Sequence, residues 1–198
     1  MRKGKDERKT NETSIVAEIE LDGKGQHNII SPLEMFRHLH NAFAKHGALD
    51  LYLNISGDLE IDQHHTVEDT GLVLGTAIRN ALGDMNGINR SGFYVQVMDD
   101  AAALLSLDIS GRPYLTYDAQ FNRQYCGDLD TDVLRDYFQG FTMGLGANIL
   151  VRTLTGVSDH HKAEAIFKGF GKALAMACSY DSRLKDYLPS DKGIIDKL

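Results

Sequence analysis

Four stretches of the chain alternate hydrophobic and polar residues, which is the period of a β-strand with one buried face. They read SIVAEIELDG (14–23), LDLYLNISGDLEID (49–62), ALLSLDISGRPYLTYDA (103–119) and NILVRTL (148–154). In the second stretch Ser56-Gly57-Asp58 interrupts the alternation. A glycine-containing turn between two alternating runs predicts a β-hairpin, so this stretch is expected to form two paired strands.

Apolar residues recur at helical spacing in further segments of the chain. These are residues 32–47, 66–82, 128–146 and 160–177. The first segment opens with Pro32 and closes with Gly47, which is the usual asymmetry of helix ends. The second stops at Gly83-Asp84. Strands and helices in this mixture predict an α+β fold.

The motif His-His-x-x-Glu occurs twice. The first copy is His64-His65 with Glu68, and the second, 96 positions later (160 − 64), is His160-His161 with Glu164. The same offset relates three pairs of small residues: Gly75 and Gly171, Ala77 and Ala173, and Ala81 and Ala177. Repetition at one offset indicates a fused duplicate whose helices pack closely at equivalent places. We expect two similar halves, residues 1–92 and 93–198, in one globular unit.

The composition is that of an ordinary globular protein, with 42% hydrophobic and 25% charged residues among 198. The net charge of −7 argues against a nucleic-acid partner. Cys126 and Cys178 lie far apart without a CxxC spacing, which favours free thiols in a reducing compartment. The charged start MRKGKDERKT precedes no long apolar run, and no stretch has the length of a membrane helix. We therefore expect a cytoplasmic protein with no membrane partner.

The repeated motif has a chemical interpretation. Residues four apart lie on one face of a helix, so each copy can present its first imidazole and its carboxylate to one ion. The second histidine points elsewhere and can serve another ion. A lone His-His pair at a helix start is typically a surface or capping feature, but neither packing nor capping requires the full motif twice. We expect a pair of metal sites, and these ligands leave manganese, iron and zinc open.

Candidate anion-binding residues lie in turns. Arg90 stands between the glycines of GINRSG, and Arg112 follows the glycine of DISGRP. A short rigid loop can aim a guanidinium at a phosphate. Ser190 and Lys192 in PSDKG add a hydroxyl and an ammonium group. Each of these residues alone is more typical of an ordinary loop, so they are candidates only as a set.

The motifs belong to long blocks: RKTNET, FAKHGALDL, GDLEIDQHHTVEDTGLVLGTAI, ALGDMNGINRSG, MDDA, LDISGRPYL, DHHKAEAIFK and PSDKG. With these blocks in this order, the chain from Arg8 to Gly193 resembles the imidazoleglycerol-phosphate dehydratases of histidine biosynthesis. The resemblance implies a lyase that uses manganese to remove water from imidazoleglycerol phosphate, giving imidazoleacetol phosphate. It also implies a duplicated ribosomal S5 domain 2-like fold. The expected assembly is a homo-oligomeric shell of roughly 24 subunits with active sites between them.

Carried over position by position, the resemblance implies two manganese ions for each chain. One site would use His38, His65, His160 and Glu164, and the other His64, Glu68, His161 and Asp136. The candidate catalytic residues are Glu12, Glu68 and Glu164. The substrate, a small phosphorylated imidazole, would be bound by Glu12, His38, His46, Arg90, Arg112, Ser190 and Lys192.

Three residues depart from the family's usual pattern. Asp136 and Leu150 stand where the family has histidine, and Arg37 stands where it has an aspartate before His38. Aspartate can bind manganese, but it is shorter than histidine and adds negative charge. One hypothesis is a working dehydratase with a modified second metal site, which the retained phosphate set favours. The alternative is a non-catalytic homologue that keeps the assembly and binds metal or an imidazole phosphate. A third interpretation, a metallohydrolase, has only the metal ligands in its favour.

Overall fold

The computed structural model describes residues 1–185 and 187–195. In chain order these residues form β1 (Lys3–Lys9), β2 (Thr13–Glu20), β3 (His27–Ile30), α1 (Glu34–Gly47), β4 (Asp50–Gly57), α2 (His64–Leu82), β5 (Ser91–Met98), β6 (Ala101–Asp108), β7 (Tyr114–Asp118), β8 (Tyr125–Cys126), β9 (Leu129–Asp130), α3 (Val133–Leu145), β10 (Asn148–Thr155) and α4 (Asp159–Cys178). A short 3₁₀ turn, Ser182–Leu184, follows α4. None of the helices in this part of the chain has both the length and the apolar character needed to cross a bilayer.

Two four-stranded sheets carry the fold, and their strand orders are equivalent. The first sheet is ordered β1-β2-β4-β3 and the second β5-β6-β10-β7. In each order the last two strands are parallel and the other neighbours are antiparallel. Alternate residues of each strand face the core, as Ile15, Ala17 and Ile19 do on β2. The α+β class and the two-half organisation expected from the sequence are confirmed. The boundary expected after residue 92 falls inside β5, which starts at Ser91.

The helices of the described chain lie between the two sheets. α1 and α2 cover the first sheet, α3 and α4 cover the second, and the two layers meet as α2 on α3 and α1 on α4. A Cβ atom on Gly75 would lie 2.5 Å from the carbonyl oxygen of Phe141 on α3. A Cβ atom on Gly171 would lie 2.4 Å from the carbonyl oxygen of Phe43 on α1. The repeated small residues therefore mark equivalent close contacts, as predicted.

The hairpin predicted for residues 49–62 is wrong. Residues 50–57 form the single strand β4, while Leu59 and Ile61 lie in the connection to α2. β4 is paired on one side by β2 and on the other by β3, so neither edge is left for a hairpin partner. The alternation continues past the turn without a strand: Leu59 is partly buried, whereas Ile61 is exposed.

Candidate active site

α1 and α4 bring three predicted metal ligands together, which we call the first ligand group. His38, His160 and Glu164 each offer one ligand atom, and these atoms all lie within 4.8 Å of one another. Nε2 of His38 is 2.5 Å from Oε1 of Glu164, and Nε2 of His160 is 3.3 Å from the same oxygen. Donors that share one ion at ~2.0–2.2 Å lie roughly 3–4.5 Å apart, so these residues fit a single divalent ion after small shifts.

The charge of Glu164 is balanced inside this group. Its Oε2 accepts a short hydrogen bond from the ammonium group of Lys168, one turn further along α4. Burial by itself raises the pKa of Glu164, but Lys168 and His38 outweigh burial and hold the pKa at about 2. The carboxylate is therefore ionised at neutral pH. The sequence motifs did not single out Lys168. Its position four residues after Glu164 places both side chains on the same face of α4, and this spacing could have identified it.

The second ligand group consists of His64 and Glu68 on α2 with Asp136 on α3. Nδ1 of His64 is 2.9 Å from Oδ2 of Asp136, and Nε2 is 3.7 Å from Oε2 of Glu68. The two carboxylates thus meet opposite nitrogens of one ring, and one ion can use all three residues only after a side-chain rotation. Asp136 nevertheless lies beside His64, so the two residues can act together.

The two ligand groups are equivalent by the internal duplication. Ala48 and Gly146 cap the C-termini of α1 and α3 in the same left-handed conformation, 98 positions apart (146 − 48). The same offset takes His38 to Asp136. Each ligand group therefore combines one residue from the first helix of one half with two residues from the second helix of the other half.

The second histidine of each motif turns to a different carboxylate. Nδ1 of His65 is 3.1 Å from Oδ2 of Asp58 and 4.0 Å from Oε2 of Glu12. Nδ1 of His161 is 2.5 Å from Oδ1 of Asp100. These hydrogen bonds raise the pKa of both imidazoles. Within one chain the predicted four-residue sets are therefore incomplete, because His65 lies outside the first ligand group and His161 outside the second.

Asp58 and Asp100 are further site residues that the motifs did not single out. Each accepts a hydrogen bond from the second imidazole of an HHxxE motif. A carboxylate in this position fixes the tautomer and orientation of an imidazole. The sequence could have pointed to them, because Asp58 in GDLEID and Asp100 in MDDA each lie close to the end of a strand.

Arg90, a predicted phosphate-binding residue, lies at the far end of α4. Its backbone is left-handed (φ 66°), and its N–H group donates to the carbonyl of Ala177 in the last turn of the helix. The guanidinium donates two hydrogen bonds to Asp108, at 2.6 and 2.9 Å, and one to the carbonyl of Pro189, at 2.6 Å. The last bond brings Pro189, the first residue of the PSDKG segment, beside Arg90, and this segment carries Ser190 and Lys192.

The remaining predicted anion-binding residues are Arg112, which lies near Arg90, and His46, which lies beside the middle of α4. Arg112 is exposed in the loop after β6, where the N–H group of Ile109 donates to the carbonyl of Arg90. His46 lies in the last turn of α1. Its pKa is lowered by partial burial and then by Lys168 and Lys172, so His46 stands in a cationic region beside α4.

Two of the three departures from the family pattern lie outside the ligand groups. Arg37 forms an ion pair with Glu34 one turn back on α1, where its Nε lies 3.0 Å from Oε2. Leu150 lies on the outer face of the second sheet, because its neighbours Ile149 and Val151 are buried on the inner face. Leu150 therefore lies on the face of the sheet that points away from the helices, and Asp136 is the departure that falls in a ligand group.

Comparison with known proteins identifies the family of the chain. A family model described as imidazoleglycerol-phosphate dehydratase matches residues 31–174. The chain belongs to the imidazoleglycerol-phosphate dehydratase family. A relative of that name from Caldanaerobacter subterraneus is 47% identical over 196 residues, which cover 98% of this chain and 100% of the relative. One from Koribacter versatilis is 44% identical over 195 residues, with 98% and 100% covered.

The solved structure of IGPD from Pyrococcus furiosus superposes with a TM-score of 0.82 at 33% identity, covering 95% of this chain and 99% of that one. The family model, which matches residues 31–174, extends over both halves and includes all six residues of the two ligand groups. The predicted function, a hydro-lyase that dehydrates imidazoleglycerol phosphate in histidine biosynthesis, is confirmed by this family membership.

Proposed function

We propose that this imidazoleglycerol-phosphate dehydratase works with a pair of manganese ions and that a second copy of the chain completes each site. The first ligand group carries the proposal, because two imidazoles and an ionised carboxylate surround one point. His38, His160 and Glu164 would hold one ion, and His64, Glu68 and Asp136 the other. Such an ion supplies a Lewis acid that polarises a coordinated substrate group. Mixed imidazole and carboxylate ligation suits manganese.

In this proposal, carboxylate side chains transfer the protons. Dehydration removes a proton from one carbon and a hydroxyl group from its neighbour. Glu164 is ionised and held by Lys168 and His38, so it serves as an anionic ligand. The side chain of Glu12 is 56% exposed and lies 4.0 Å from His65. We assign the acid–base role to Glu12, because it can reach a bound substrate beside the metal ligands, with Glu68 as a further candidate.

The phosphate of the substrate would bind at the Arg90 end of the chain. Asp108 and Pro189 occupy three of the five N–H donors of Arg90. The other two donors have no hydrogen-bond partner among the residues that the structure describes, and the guanidinium is already held in place, which favours binding of phosphate oxygens. The remaining members of the proposed phosphate site are His46, Arg112, Ser190 and Lys192.

The distance along α4 supports an active site between two copies. The helix from Glu164 to Ala177, whose carbonyl receives the Arg90 N–H group, is about 20 Å long. Imidazoleglycerol phosphate has only three carbons between its ring and its phosphate, so it cannot span this length. The ligand groups of one chain would therefore use the phosphate site of a neighbour. His65 and His161 from neighbouring copies would complete the metal sites.

Such sites require a closed homo-oligomer, and a shell of roughly 24 subunits provides the needed neighbours. We place the assembly in the cytoplasm. Cys126 and Cys178 are free thiols and both are buried, which suits a reducing compartment.

Metal-stripped protein reloaded with manganese tests the proposal. We expect turnover of imidazoleglycerol phosphate and two ions for each chain, counted by elemental analysis. Asp136→His should keep or raise the occupancy of the second ligand group, because imidazole reaches further and adds no negative charge. Asp132→His, on the same helix end but outside both groups, is the control. Assembled protein that binds one ion or none and does not turn over would instead be the non-catalytic homologue.

A further inference from the structure

The connection between β7 and α3, residues 119–132, is much longer than its counterpart in the first half, residues 31–33 between β3 and α1. We call residues 119–132 the strap. It contains the short hairpin of β8 and β9, in which Cys126 pairs with Leu129. Both of these side chains are buried, so the strap is packed against the body of the protein.

The tip of the strap caps α1, the helix that carries His38. Oδ2 of Asp128 accepts a hydrogen bond from the N–H group of Glu34 at 2.6 Å, and Oδ1 accepts one from Met35 at 2.8 Å. The residue that precedes α1 is Leu33, which offers no side-chain cap. Asp128 therefore supplies from the strap the N-cap that the chain before α1 lacks.

The strap is also tied to α2, directly beside His64. Oε1 of Gln63 accepts a hydrogen bond from the N–H group of Asp130 at 2.9 Å. Nε2 of Gln63 donates to the carbonyl of Asp128 at 2.8 Å. Both ends of this amide are engaged, so the residue that precedes His64 is fixed to the same hairpin that caps α1.

A third attachment lies at the start of α4, directly beside His160. The carboxylate of Asp159 accepts hydrogen bonds from the N–H groups of Asn122, at 3.0 Å, and Arg123, at 2.9 Å. Nζ of Lys162 donates to Asp159 and to the carbonyl of Gln120, both at 3.0 Å. Asp159 and Lys162 are only 7% and 5% exposed, so water competes little for these bonds.

The geometry points to the strap as a positioning element for both ligand groups. It fixes the N-terminal ends of α1, α2 and α4, from which His38, His64 and His160 project. The inference rests on the proposed function in that the ligand groups bind manganese. Asp128 and Gln63 act on the ligands through the helices, without touching an ion. Loss of a group that orients metal ligands weakens metal affinity by about 10- to 100-fold.

Manganese titration of full-length assembled variants, followed by the electron paramagnetic resonance of unbound ion, tests the strap. Asp128→Ala should lower the affinity for the manganese ion at the first ligand group by about 10- to 100-fold. Gln63→Ala should lower the affinity of the second ligand group by a similar factor. Gln63→Glu should restore part of that affinity, because its carboxylate can still accept the hydrogen bond from the N–H group of Asp130. Asp50→Ala is the matched control, since Asp50 also accepts two backbone hydrogen bonds, from Lys24 and Gln26 in another loop.

Hydrogen exchange of the metal-free variants separates the strap from the metal. Gln63→Ala should speed exchange at the start of α2, and Asp128→Ala at the start of α1, with the end of α4 unchanged. Unaltered exchange at both helix starts would overturn the inference, whatever the metal does. Wild-type affinity in both variants, or equal weakening in Asp50→Ala, would also overturn it. Wild-type protein that binds no manganese would refute the proposed function, while exchange would still decide whether the strap holds the helices.

Discussion

At the scale of single residues, His40 shows how a polar group is accommodated in the core between the ligand groups. Its ring is fully buried; Nδ1 lies 2.9 Å from the carbonyl of Phe36, and Nε2 lies 3.1 Å from the hydroxyl of Tyr137. A carbonyl only accepts, so Nδ1 carries the proton and Nε2 accepts from Tyr137. Burial lowers the pKa of His40 to about 4. A neutral histidine thus joins α1 to α3, close to His38 and Asp136.

Because His40 is buried as a neutral group beside Tyr137, we expect the protein to lose stability in mild acid. The unfolded chain protonates His40 near pH 6.5, whereas the folded chain does so only near pH 4. The free energy of unfolding therefore falls as the pH is lowered between these values, by roughly 3 kcal/mol at most. The double variant His40→Leu, Tyr137→Phe removes both polar groups and should flatten this part of the curve. Urea unfolding at pH 7 and pH 4.5 measures the difference.

Tyr137→Phe alone is the control for this experiment, because it keeps the histidine that titrates. The raised pKa values of His65 and His161 act with the opposite sign. Their contribution is complete below their unfolded pKa and is lost as the pH rises through the folded one, so it cannot produce a fall towards acid. An unchanged acid dependence in the double variant would show that another group carries it.

At the scale of elements, the contact between α2 and α3 sets the second ligand group. A Cβ atom on Gly140 would lie 2.2 Å from the carbonyl oxygen of Glu68, and one on Gly144 would lie 2.1 Å from that of Leu72. The two backbones therefore approach as closely as glycine permits. This approach is what brings Asp136 on α3 within hydrogen-bonding distance of His64 on α2.

Gly144→Ala should destabilise the protein, because the new methyl group meets the backbone of α2. Overpacking of this kind costs about 1–3 kcal/mol. The gain in helix propensity, about 1 kcal/mol, offsets only part of it. Gly169→Ala on α4 is the matched control, since its Cβ would meet side chains, Cδ2 of Leu105 at 2.7 Å and Cβ of Gln96 at 2.9 Å, rather than backbone. Thermal unfolding of both variants measures this, and equal stability would contradict the packing argument.

At the scale of the whole molecule, each ligand group belongs to both halves of the duplicate. α1 of the first half packs on α4 of the second, and α2 of the first half packs on α3 of the second. His38 therefore meets His160 and Glu164, and Asp136 meets His64 and Glu68. Neither half carries a complete group, so the site requires the two halves to pack against each other.

The proposed composite site predicts complementation between inactive variants. Glu164→Ala removes a metal ligand and Arg90→Ala removes a phosphate donor, so each should abolish turnover. Random co-assembly of the two leaves about one quarter of intersubunit sites intact, and activity should return to that level. Each variant taken alone through the same dissociation and reassembly is the control. Mixed assemblies, verified by native mass spectrometry, that stay inactive would place the whole site within one chain.

Much of the fold could be predicted from the sequence because alternation and helical spacing are local signals. The strands β2, β4, β6, β7 and β10 and all the longer helices follow from them. β1, β3 and β5 were missed because they are edge strands, and edge strands have weak contrast between their two faces or, like β3, are only four residues long. β1 reads KGKDERK, and the outer face of β5 exposes Phe93, Val95 and Val97. The strap was missed because its hydrogen bonds join residues far apart in the chain.

The sequence by itself determined the chemistry that is available: two HHxxE motifs, the helices that carry them, and the family to which they belong. Only the tertiary structure decided which of these residues meet. Spacing within a helix fixes that His160 and Glu164 share a face, but it cannot tell that His38, on another helix, faces them. That choice follows from the close packing of α1 on α4, which small residues far apart in sequence permit.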